Sequence, residues 1–164
     1  MSETRDGQNP RAMRARLVSA RARLDSLPIA SRLAAGPTDP TTGESWHRGN
    51  VLGHMSEMID YWTVQLRDAA AGSKEVGRDE EGYLKRRQGI DRGNAATEAD
   101  LKLAVDNGIG SIIELVDTLS LADLDREVRY HRRDGDEDQR VGDLLEILLV
   151  RHVEEHVDQL ASLD

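Results

Sequence analysis

The chain has 164 residues, of which Leu, Ile, Val and Phe number 37 (19 Leu, 7 Ile, 11 Val and no Phe), or 23%. That lies just above the roughly 20% below which a highly charged chain stays disordered, so folding requires these residues to be concentrated onto faces. The net charge of −9, from 22 basic and 31 acidic residues, argues against general nucleic-acid binding. Cysteine is absent, which excludes disulfides, thiolate metal sites and a protein thiol nucleophile. No stretch approaches the roughly 18 apolar residues of a membrane span, and no apolar signal-peptide core is present. The expectation is one soluble, cytoplasmic domain, residues 1–164, with no membrane partner.

Residues 1–8 read as a flexible tail. The basic start that contains them holds six Arg against Glu3 and Asp6, so residues 1–23 carry +4 and the remainder −13. Its helical spacing of Met13, Leu17, Ala20, Leu24 and Leu27 marks a core-facing first helix from about Pro10 to Leu27, stopped by Pro28, rather than a transit peptide. A turn-rich connector follows across Gly36-Pro37-Thr38-Asp39-Pro40-Thr41-Thr42-Gly43. The second helix starts near Arg48–Val51 and ends before Gly72. Val51, Leu52, Met55, Met58, Ile59, Trp62 and Leu66 give it the wide apolar face of a bundle helix. Residues 72–96 are polar and glycine-punctuated, without sustained period, and serve as a long crossover. Thr97-Glu98-Ala99-Asp100 has the form of a capping box. It opens a third helix with Leu101, Val105, Ile109, Ile112, Val116 and Leu119 on one stripe. Arg126–Arg140 reads as an exposed turn or short hairpin around Asp134-Gly135, and a fourth helix runs from about Gly142 to Leu163. The predicted fold is all-α, a four-helix bundle with a long crossover between helices two and three.

The fourth helix carries the chemistry. Its stripe runs Leu145, Leu148, Leu149, His152, His156, Leu160, which puts two imidazoles four residues apart on the core face. Buried imidazoles need partners for their ring nitrogens. Neighbouring polar groups can supply them, and so can a divalent metal, for which neutral imidazole is the commonest ligand. His54, at the edge of the second helix's apolar face, supplies a third histidine if helices two and four face each other. Three such ligands leave a coordination position open, as in catalytic sites. His152-Val153-Glu154-Glu155-His156 lacks the glutamate after the first histidine, so it is not the metalloprotease motif. His131, among Arg129, Arg132 and Arg133, reads as solvent-exposed, and His47 as a surface histidine at a helix start.

Trp46, Val51-Leu52-Gly53-His54, the polar crossover and His152-x-x-x-His156-x-x-Gln159-Leu160 together closely resemble the DinB-like superfamily. That group includes damage-inducible proteins, bacillithiol transferases and the metal-binding domain of mycothiol-dependent maleylpyruvate isomerase. The resemblance implies a dimeric four-helix bundle in which His54, His152 and His156 hold a divalent ion, zinc or nickel foremost. The isomerase branch has a glutamate where this chain has His152, so the chain looks more like the general and thiol-transferase pattern. The implied activity is transfer of a low-molecular-weight thiol, mycothiol-like, to a small electrophile. Hydrolysis through the same ligands and a non-catalytic metal-binding dimer are the alternatives. The 19 Arg against 3 Lys fit a GC-rich genome, which favours mycothiol as the thiol. Glu57 and Asp60 are either hydrogen-bond partners for the ligands or solvated helix-surface charges. Arg87, Arg92 and Arg151 are available for anion contact, although Arg151 is turned about 100° off the histidine stripe. Tyr83 is a candidate pocket residue, and Tyr61 a pocket residue or a core or interface aromatic.

Overall fold

The computed structural model describes residues 9–29 and 35–163, so the predicted tail at 1–8 lies outside the described residues. Helix α1 spans Pro10–Ser26, with the Asn9 side chain accepting from the Arg11 N–H and Pro at the first turn. It stops where Leu27, preceding Pro28, is driven to extended geometry (φ −70°, ψ 131°). Met13, Leu17, Ala20 and Leu24 are its buried stripe. Helix α2, Arg48–Ala70, begins at His47, whose ring accepts from the Asn50 N–H while the Asn50 side chain accepts in return from the His47 N–H. The histidine expected at the surface is therefore a helix cap.

The crossover contains a helix that the sequence pattern does not announce. Helix α3 spans Glu80–Arg92, capped by Asp79, and buries only Gly82 and Ile90. With so few buried positions there is no apolar period to read. It is held instead by close backbone approach. A Cβ on Gly53 would collide with the Gly89 carbonyl oxygen, and one on Gly49 with that of Gly93, so α2 and α3 touch through paired glycines. Helix α4, Glu98–Thr118, follows, with the Thr97 hydroxyl accepting from the Asp100 N–H. Glu98 pairs with the buried guanidinium of Arg48 at 2.8 Å.

A three-stranded sheet makes the all-α expectation approximate. Strand β1, Glu75–Gly77, pairs in parallel with β2, Glu127–Arg132, which pairs antiparallel with β3, Gly135–Arg140. Between α4 and β2 lies a one-turn helix α5, Leu121–Leu124. The hairpin turns at Arg133–Asp134, and Gly135 takes the positive φ (133°) that the turn exit demands.

The C-terminal helix runs as α6, Val141–Leu145, a π-helical turn, Glu146–Val150, and α7, Arg151–Ser162. Val141, Leu145, Leu149, Val153 and Val157 are all fully buried and recur every four residues. At about 100° per residue an α-helix would rotate such a run steadily off the core. One wider turn, bonded i to i+5, takes back that drift. Buried residues from α1, α2, α4 and the C-terminal helix form one contiguous apolar cluster. Among the described residues, no helix is long and apolar enough to cross a membrane.

Candidate metal centre

His54 on α2 and His152 and His156 on α7 converge at one end of the bundle. One ring nitrogen from each lies within 4.8 Å of the other two. The His152 and His156 rings stack with centroids 4.7 Å apart, as the four-residue spacing dictates, and His54 stands 5.0 Å from His156, edge to face. The Trp46 ring packs over the group, 5.0 Å from His54 and 6.2 Å from His156.

All three imidazoles are held neutral. Burial is the largest cause, reinforced for His54 and His152 by the neighbouring imidazoles, and it pushes His152 down to about 3 and His54 and His156 well below the ordinary histidine range. One side-chain partner fixes a ring. His156 Nδ1 lies 2.8 Å from Gln159 Oε1, so it carries the proton and donates, leaving Nε2 with its lone pair facing inward. For His152 the nearby Leu148 backbone, inside the π-helical turn, opposes the fall without reversing it. Among the described residues, His54 Nδ1 and His156 Nε2 are buried without a hydrogen-bond partner. Buried nitrogens without partners are costly unless something else satisfies them. A soft-to-borderline divalent cation fits this neutral, inward-facing imidazole set.

The triad opens onto a cavity of about 500 Å³. Three places in the chain build its walls. The 35–47 connector brings Asp39, Glu44 and Trp46, and it is braced by the Gly36 N–H donating to the Trp46 carbonyl (2.9 Å). The α2–α3 face brings Trp62, Tyr83 and Arg86, with Arg78 from the segment before α3. The β2–β3 hairpin brings Tyr130, His131 and Arg133 over the mouth. Arg78 donates two-pronged to Glu57 (2.7 and 2.9 Å) and stacks on Tyr61 at 4.1 Å. Arg86 pairs with Glu44 and lies 5.6 Å over Trp46.

Several residues weighed as candidates to serve the triad have other duties. Glu57 spends both oxygens on Arg78, and Asp60 lies on the outer face of α2, so neither orients a histidine. Gln159 takes that role for His156. Arg92 reaches Ser56 on another groove, Arg151 pairs with exposed Glu155, and Arg87 is exposed away from the cavity. The cavity's guanidiniums are Arg78, Arg86, Arg132 and Arg133. Their signal is tertiary, since no local spacing marks an arginine that reaches the site from α3, the segment before it or the hairpin. Tyr61 stands in the wall behind Arg78, donating to the Gly77 carbonyl, whereas Tyr83 lines the cavity. His131 is not free in solvent: its ring pairs with Asp136 at 3.0 Å and borders the mouth.

Among curated proteins, none matches the chain in sequence. Among solved structures it is similar to YfiT from Bacillus subtilis, with 13% identity and a TM-score of 0.69 over 99% of this chain and 87% of that one. That protein is described as "a probable metal-dependent hydrolase with an unusual four-helix bundle topology". At this identity the likeness establishes the shared fold. The family model of the DinB superfamily matches residues 10–160. With that match spanning the bundle and all three histidines, the chain belongs to the DinB superfamily.

Proposed function

We propose that the protein is a metal-dependent enzyme acting on a small electrophile, with one divalent cation held by His54, His152 and His156. The observation that carries this reading is the cluster of three histidines lining an open cavity, in which the buried His54 Nδ1 and His156 Nε2 have no hydrogen-bond partner among the described residues. A structural cation would need the site closed by a fourth protein ligand, and among the described residues no fourth Asp, Glu, His or Cys joins the cluster. A divalent cation there lowers the pKa of a coordinated water or thiol and so supplies a nucleophile at neutral pH.

The chain's own residues do the rest. Gln159 holds the His156 imidazole in the tautomer that leaves Nε2 able to ligate. Trp46 shields the histidines on one side, and Trp62, Tyr130 and Leu148 give the cavity apolar walls against which a small molecule can lose water. S-transfer from a mycothiol-like thiol is our first assignment. A chain without cysteine brings no thiol of its own to compete for the metal. The description of YfiT as a probable hydrolase favours hydrolysis as the second.

The two separate in one assay series. Zinc- or nickel-loaded protein is given chlorodinitrobenzene with mycothiol, and separately a panel of esters and amides. Thiol-dependent aryl transfer that disappears in His54→Ala supports the first. Ester or amide turnover without thiol supports the second. Neither activity, together with a fall in thermal stability as the main consequence of His54→Ala, would mark the site as structural and refute the enzyme reading.

A further inference from the structure

Three guanidiniums around the cavity are each laid on an aromatic ring: Arg78 on Tyr61 at 4.1 Å, Arg86 on Trp46 at 5.6 Å and Arg133 on Tyr83 at 4.0 Å. Two of them are matched by carboxylates, Arg78 by Glu57 and Arg86 by Glu44. The acids of the lining are likewise engaged. Glu44 holds Arg86, Asp134 pairs with Arg132, and Asp39 turns its Oδ1 onto the N–H groups of Thr41 and Thr42. Among the described residues, Arg133 has no acidic partner. Its contact is the Tyr83 face, which fixes the fork at the mouth without neutralising it. In a chain of net charge −9, the lining carries Arg78, Arg86, Arg132 and Arg133 against Asp39, Glu44 and Asp134. With Glu57 counted against Arg78 the cavity's charges balance four to four, so the guanidinium left to draw an anion is Arg133, the one without an acidic partner among the described residues.

From this arrangement we infer that the ligand is a small carboxylate with an aromatic or apolar body. Its carboxylate pairs with Arg133 at the mouth and its body lies against Trp62, Tyr130 and Leu148, so that the far end reaches the histidines. A guanidinium fork matches a planar carboxylate at two points. The inference rests on the triad cavity being the substrate site, but it does not require the metal.

The chain's two tryptophans, Trp46 and Trp62, both line the cavity, so their emission reports on binding there. Phenylacetate and its neutral isostere phenylacetamide are titrated into metal-stripped and zinc-loaded protein, wild type and Arg133→Gln. In wild type, phenylacetate binds about tenfold or more tighter than the amide in both metal states, the worth of a charge-assisted pair. In Arg133→Gln the two ligands bind alike while the amide keeps its wild-type affinity, which also shows that the cavity is intact. Three results overturn the inference: acid and amide binding equally in wild type, an acid preference that survives Arg133→Gln, or no response to phenylacetate up to millimolar concentration. A preference confined to zinc-loaded protein overturns it too, because the cation would then be holding the anion. If zinc fails to bind while the metal-stripped result stands, the metal reading falls and this one does not.

Discussion

Gln159 sits three residues after His156, on the same side of α7, and its Oε1 accepts the His156 Nδ1 proton. Replacing it with Leu removes the acceptor and frees the imidazole to turn or change tautomer. The expected outcome is a loss of about 10–100-fold in zinc affinity, read by competition with a chelating dye, at unchanged helicity. Unchanged affinity would show that the ring needs no such anchor. A second residue-level consequence concerns acid. The unfolded chain protonates its histidines near 6.5, whereas burial keeps His152 neutral down to about 3 and His54 and His156 also well below their ordinary value. Below pH 6.5 the unfolded state thus binds more protons, so the stability of metal-free protein rises with pH and is lost on acidification. The slope is about 1.4 kcal/mol per pH unit for each histidine involved. Urea midpoints at pH 7.5 and 5.5 test it, and a midpoint that holds or climbs at the lower pH contradicts it. At this scale the histidines are legible in the sequence, because a stripe of leucines running into His152 and His156 is a local pattern. Arg78, Arg86 and Arg133 are not, since their roles depend on where α3, the segment before it and the β2–β3 hairpin meet.

Among the elements, α1, α2 and α4 follow their apolar periods closely, and their buried faces are the ones the spacing predicts. Helix α3 escapes such a reading because glycine contact replaces an apolar stripe. That contact is testable. A methyl at Gly53 meets the Gly89 carbonyl rather than a yielding side chain, so Gly53→Ala should cost about 1–3 kcal/mol. It should also weaken metal binding, since His54 is the next residue. A variant as stable as wild type would mean that the α2–α3 contact is looser than described. Arg48 is the other element-level joint. Its fully buried guanidinium holds Glu98 at the start of α4, the Leu160 carbonyl near the end of α7 (3.2 Å) and the Pro28 carbonyl after α1 (2.7 Å). Arg48→Met strands Glu98 in the interior and should destabilise by about 3–5 kcal/mol. Denaturant unfolding checks this, and a loss below about 1 kcal/mol would argue against the joint. The π-helical turn does have a sequence signal: five buried residues spaced strictly by four, a period too long for an unbroken α-helix.

At the scale of the whole molecule, most charged groups bind the bundle's outer seams while the cavity keeps its own balance. Arg16 bridges α1 to Glu146 and Glu154, Arg21 reaches Asp106 on α4, and Arg23 meets Asp158. The basic first helix is thus a partner for acidic helices. The histidines sit where α2, α7 and the 35–47 connector converge, so a cation there ties distant parts of the chain together. Binding to the folded state alone must raise stability by linkage, about 2.7 kcal/mol at a hundredfold excess over Kd. The most direct test is elemental analysis of tag-free purified protein beside His156→Ala, with circular dichroism on both. The predicted result is about one equivalent of a transition metal in wild type and none in the variant, at equal helicity. A wild-type protein that holds no metal even after incubation with zinc or nickel would contradict the account, leaving His54, His152 and His156 as core histidines of a helical interaction module.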